Sequence, residues 1–258
     1  MTLLTQLSLG VLASTVVVGG GGGGGEGGAV AAGAGALALA VATLHLGRPA
    51  AAWKALRNLR RSWLSREVAL FAAFSAATFA YVGWRSAWLG GLAILLGTAG
   101  VYASGRLYLV PARPVWNSPR TLVAFYATAL STGPLAAVAL APSEGAGPLL
   151  GVAAAGCLLQ LLVIQRLAAA AVLRPEREYQ LTARLLFGHF RPLLVVRIAL
   201  AVAAVMVCGL AVVLGAPRAG WGAVAFVLAV GGEAIGRYLF FVTVTPMTAA
   251  RRFSSGTR

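Results

Sequence analysis

Apolar residues along this chain come in long blocks, with neither the two-residue alternation of a half-buried strand nor the narrow stripe of a soluble helix. Runs of about 20 residues, the length an α-helix needs to cross ~30 Å of hydrocarbon, fall at 3–18, 28–46, 67–84, 87–110, 121–141, 148–173, 192–214 and 221–244. Connections rich in arginine separate alternate runs. The pattern predicts an all-α integral membrane protein, a bundle of eight transmembrane helices forming a single membrane domain over residues 1–258.

Composition agrees with that reading, since 59% of residues are hydrophobic and 10% charged, whereas soluble domains average roughly half and a quarter. There is no Asp, and six Glu face 21 Lys and Arg, for a net charge of +15. In a soluble chain that excess would point to nucleic acid. Here the cations sit between the apolar runs, where the positive-inside rule places them, so the partner is membrane lipid and not nucleic acid. Eight spans put both ends and the second, fourth and sixth connections on one side. That side holds Arg48, Lys54, Arg57, Arg60, Arg61, Arg66, Arg113, Arg120, Arg174, Arg177, Arg184 and Arg191, while the other connections offer Arg85 and Arg218 against Glu26 and Glu144. The bias predicts a cytoplasmic basic face with both termini on it.

The first run lacks a basic leader and a small-residue cleavage site, so it is kept as a helix. The glycine run 19–25 that follows it reads as a flexible turn. It lacks the Lys and Ser/Thr of a phosphate-binding loop, and it predicts a first helix loosely attached to the rest. After Pro49, a short helix would place Trp53, Leu56, Leu59 and Trp63 on one side and Lys54, Arg57 and Arg61 elsewhere, as suits a segment lying in the membrane interface.

Ionisable groups inside or at the ends of membrane helices are costly and mark function by default. His45 closes the second run and Glu67 opens the third, 22 residues on, at similar depth on the basic side. A His near its unperturbed pKa of about 6.5 can accept a quinol proton, and a carboxylate can pass it to water. The alternative is structural: His45 capping a helix end and Glu67 paired with Arg66 at a helix N-terminus. Glu233 and Arg237 stand one turn apart, beside a Gly232/Gly236 surface for close helix approach, and read as a self-neutralising brace. Arg106, Tyr108 and the proline-interrupted segment 111–117 form a stiff connection suited to roofing a cavity. Cys157 and Cys208 have no metal-binding spacing, and His45 and His189, with His189 in a loop, cannot supply bis-histidine haem sites. Apart from Glu233 and Arg237 the span centres read as nearly free of charge, which counts against a transporter.

The segments Leu44-His45-Leu46-Gly47-Arg48-Pro49, Arg60-Arg61-Ser62-Trp63-Leu64-Ser65-Arg66-Glu67 and Gly232-Glu233-Ala234-Ile235-Gly236-Arg237 resemble the DmsC-type membrane-anchor subunit of dimethyl sulfoxide reductase and related molybdopterin oxidoreductases. The resemblance implies a haem-free, metal-free eight-helix anchor in a prokaryotic cell membrane, taking part in anaerobic respiration. It would oxidise menaquinol and pass electrons to an iron–sulfur subunit, which feeds a molybdopterin (Mo or W) catalytic subunit. His45 and Glu67 are then the catalytic pair, with Arg48 and Ser65 completing the quinone site. Glu233 and Arg237 take a structural or supporting role, and Arg57, Arg60, Arg61, Arg66 and Arg113 dock the partner. A polysulfide-reductase-like or dehydrogenase-linked anchor that reduces quinone, or a transporter, are the competing expectations.

Overall fold

In the computed structural model, the described residues are 2–19, 25–44, 49–141, 146–214 and 219–245. They form α1 (Thr2–Val18), α2 (Gly25–Leu44), a 3-10 helix (Pro49–Asn58), α3 (Trp63–Trp84), α4 (Ala87–Arg106), α5 (Pro119–Leu140), α6 (Ala146–Leu173), α7 (Arg177–Arg184), a π-helical turn (Leu185–His189), α8 (Arg191–Val213) and α9 (Ala219–Val242). Seven of these are long and apolar enough to cross a membrane. The eighth, α1, is apolar over 17 residues, about 26 Å at 1.5 Å per residue. The protein is therefore an all-α membrane protein built on eight apolar helices.

Local signals set the helix ends. Ser62 caps α3, its hydroxyl accepting from the Ser65 N–H at 3.2 Å, and α3 stops where Arg85 turns left-handed at φ 49°. Ser118 caps α5 ahead of Pro119 in the first turn, where a proline loses no helical hydrogen bond. The fourth span ends at Arg106 instead of Val110, because 107–118 folds as a series of turns.

The helices group as two four-helix units. In the first, α1 packs on α2 and α4, α2 on α3, and α3 on α4; in the second, α5, α6, α8 and α9 close a ring. Leu9, Leu12, Phe71, Phe74 and Tyr81 fill the first core, and Leu135, Val138, Leu150, Cys157 and Cys208 belong to the second. The seam between them is α1 against α5. There Gly10 and Gly133 meet backbone to backbone, so closely that a Cβ on either would overlap the other helix, the small-residue contact that lets membrane helices approach.

This seam corrects the expectation of a loosely held first helix. Helix α1 is central, with Val11 and Leu12 fully buried and the Ser8 hydroxyl donating to the Ala31 carbonyl of α2 at 2.6 Å. Helix α5 is the other central element, 67% buried over its apolar window against 17% for α8. The outward face of α8, with Val195, Met206 and Val213 exposed, is left for lipid.

The basic side carries most of the remaining structure. The segment after Pro49 is a 3-10 helix whose Trp53 and Leu56 are exposed. The stretch expected to be a loop around His189 is instead the amphipathic α7 and its π-helical turn. Side chains lace these pieces together: Thr182 donates to the Thr243 carbonyl at 3.0 Å, Tyr179 to the Pro114 carbonyl at 3.1 Å, and the Trp116 indole to the Phe240 carbonyl at 2.9 Å.

Candidate functional site

Two groups of buried polar side chains lie beneath this basic face. The first belongs to the start of α3, where Ser65 and Glu67 are 4% and 3% exposed. The capped first turn holds Glu67 inside the bundle, with its carboxylate facing the buried Ser104 hydroxyl of α4. Tyr108, just beyond α4, feels both Glu67 and Arg237; burial chiefly, and the Glu67 charge, push its phenol above the usual range, while Arg237 pulls the other way. Tyr108 thus stays protonated at neutral pH and can donate. His45 and Arg48 lie outside the described residues.

Trp63 is held between two cations, with the Arg66 guanidinium 4.4 Å and the Arg106 guanidinium 4.9 Å from the ring centroid. Arg66 also donates to the Leu59 and Arg60 carbonyls at 2.8 and 2.7 Å, which ties the interfacial segment to α3. Arg113 covers the Trp116 ring at 4.3 Å. Of the five arginines expected to dock a partner, Arg57, Arg60 and Arg61 are exposed, whereas Arg66 and Arg113 also brace the connections from which they project.

The second group lies at the centre of the second unit. Glu233, 7% exposed, accepts on Oε2 from the Thr128 hydroxyl at 2.6 Å and the Gln160 amide at 2.9 Å. Arg197 donates to Gln160 Oε1 at 3.3 Å, and Arg237 to Thr128 Oγ1 at 3.1 Å and Gln6 Oε1 at 2.5 Å. Glu233 and Arg237 are therefore joined through Thr128 instead of by the direct contact their spacing suggests. The GxxxG surface faces α8: Gly232 lies against its backbone, and Gly236 makes room for the Arg197 guanidinium.

This network forms one wall of a cavity of about 90 Å³ between α5, α6, α8 and α9. Val163, Ile164, Leu167 and Leu194 supply apolar walls, and Trp116 and Phe240 close the basic end. The connection 107–118 thus takes the roofing place expected of it. The wall corrects the picture of nearly uncharged span centres, since Arg197 lies six residues inside α8. Arg197 was legible as a charge inside an apolar run. Gln6, Thr128 and Gln160 were not, because single neutral polar residues are common in membrane helices. Among the described residues no three His, Cys, Asp or Glu side chains gather to hold a metal, and both cysteines are buried in the second core.

Fold and site together define a multi-pass membrane protein with polar chemistry held under one arginine-rich face. A sequence model of the family described as DMSO reductase anchor subunit (DmsC) matches residues 29–242, and the chain belongs to that family. It is 32% identical over 108 residues to the anaerobic dimethyl sulfoxide reductase chain YnfH of Escherichia coli (strain K12), covering 38% of each chain. It is 33% identical over 115 residues to a sulfite dehydrogenase subunit of Allochromatium vinosum, covering 37% of this chain and 35% of the relative. The matched region thus spans little more than a third of these relatives. No solved structure matches the chain.

Proposed function

We propose that this protein is the membrane anchor of a molybdopterin oxidoreductase complex and oxidises menaquinol at the start of α3. The observation that carries the reading is Glu67: a carboxylate 3% exposed, beside Ser104 and Tyr108, under the face that holds the exposed arginines of the connection. A buried carboxylate with no Arg or Lys paired to it among the described residues is expensive, and a proton-accepting role explains its retention. His45, with Arg48 and Ser65, completes the site in this reading. His45 accepts a quinol hydroxyl proton, and Glu67, beside Ser104, passes it toward the basic side. Electrons leave to an iron–sulfur subunit and from there reach a molybdopterin subunit that acts on the terminal substrate.

The similarity to a sulfite dehydrogenase subunit supports a second reading, in which the same site reduces quinone with electrons arriving from the partner. Purification of the tagged chain from native membranes in mild detergent tests both. Two companion subunits carrying iron and molybdenum or tungsten, without haem and with extractable quinone, are expected. A chain that purifies alone and metal-free under several mild detergents would contradict the anchor role and favour a transporter. The sign of electron transfer in the purified complex, quinol to acceptor or donor to quinone, separates the first reading from the second.

A further inference from the structure

The cavity in the second unit is walled by residues other than those of the α3 site. Its polar wall has an unusual make-up: three guanidiniums, Arg120, Arg197 and Arg237, with Gln160 and the Glu233 carboxylate; Arg120 is engaged by Ser118 and the Arg166 carbonyl. Both hydrogen bonds to Glu233 fall on Oε2, so Oε1, on a side chain 7% exposed that lines the cavity, accepts none among the described residues. Among the described residues the Arg197 side chain makes one hydrogen bond, to Gln160, which leaves other guanidinium N–H groups for a ligand. At ~10–15 Å³ per water, 90 Å³ holds roughly six to nine waters, on the order of 200 Å³ of liquid. That is the size of a one- or two-ring head group.

We propose that this cavity binds the head group of an isoprenoid quinone or quinol, as a second site separate from Glu67. Arginine donors suit a quinone carbonyl, and the free Glu233 oxygen accepts from a quinol hydroxyl. An ionised phosphodiester has no hydrogen to donate to that oxygen, whereas a quinol hydroxyl does, which favours the quinol over an anionic lipid head group. Trp116 and Phe240 offer flat faces to a ring, and Val163, Ile164 and Leu167, each partly exposed on α6, give the tail a way out to lipid. The site is assigned for binding, so no electron acceptor is required beside it. The inference draws only its ligand class from the proposed function.

Photolabelling of the full complex in native membranes with an azidoquinone, followed by peptide mapping, tests it. Label is expected in the α6 and α8–α9 peptides. Leu167→Trp, which fills the cavity from its apolar wall, should lower that label about tenfold, as loss of one good contact set does, and leave labelling near the α2–α3 connection unchanged. Val163→Phe serves the same purpose if Leu167→Trp fails to accumulate. Label confined to the α2–α3 connection, or α6 label indifferent to both substitutions, would overturn the proposal. So would α6 label displaced by phosphatidylglycerol vesicles but not by excess unlabelled quinone. Loss of label at the α2–α3 connection alone would instead count against the Glu67 site and leave this one standing.

Discussion

Gly236 lies under the guanidinium of Arg197: a Cβ built on Gly236 would meet Arg197 Cζ at 2.5 Å and Nε at 2.6 Å. Because the atoms in the way are the far end of a flexible side chain, Gly236→Ala should fold, costing about 1 kcal/mol or less. It should nevertheless displace Arg197 from Gln160. Thermal unfolding in detergent is expected to move little while labelling of the α8–α9 cavity falls; an unchanged cavity would contradict the placement of Arg197.

Gly10 and Gly133 present the opposite case, since the atoms a new Cβ would meet are backbone. Neither helix can yield without opening the seam between the two units. Gly133→Ala should therefore destabilise by about 1–3 kcal/mol or more, read as a lower unfolding temperature and reduced abundance in membranes. Near-native stability would mean that α1 and α5 do not pack as described.

Removing the Glu233 carboxylate leaves Arg197 and Arg237 without their nearest counter-charge. Glu233→Leu is expected to cost about 3 kcal/mol, whereas Glu233→Gln keeps an acceptor for Thr128 and should cost clearly less. Equal losses in the two variants, measured by denaturation in mild detergent, would show that charge is not what the network supplies.

Trp116 joins the roof to α9 through its indole N–H on the Phe240 carbonyl and its stacking on Phe240, with ring centroids 5.0 Å apart. Trp116→Phe should forfeit the hydrogen bond and destabilise by about 1 kcal/mol. Trp116→Ala empties the aromatic cluster with Tyr108 and Phe125 and should cost about 3–5 kcal/mol. Tryptophan fluorescence during unfolding, with the single substitutions compared, provides the check.

The eight apolar runs were legible because lipid demands about 20 apolar residues per helix, and the described helices follow them to within a few residues. Legibility failed where packing, not solvent, sets the outcome. The glycine run suggested a detached α1, yet Gly10 and Ser8 inside the helix decide its place by letting α5 and α2 approach. Helix α7 is too short and polar to leave an apolar block. Glu67 stood out as a charge at a span edge, and the first turn of α3 buries it. The wall of the cavity was hidden, since Gln6 and Arg237 are 231 positions apart and no local spacing links Thr128 or Gln160 to Glu233.

The central claim is that Glu67 and His45 handle the quinol proton. Quinol-dependent turnover of the assembled complex in Glu67→Gln and His45→Ala membranes tests it most directly, with partner-subunit content and artificial-donor activity as assembly controls. A fall of about a hundredfold or more in quinol oxidation, with normal assembly and normal artificial-donor activity, is expected for loss of a general base. Unchanged quinol rates in both variants would place the chemistry elsewhere in the protein.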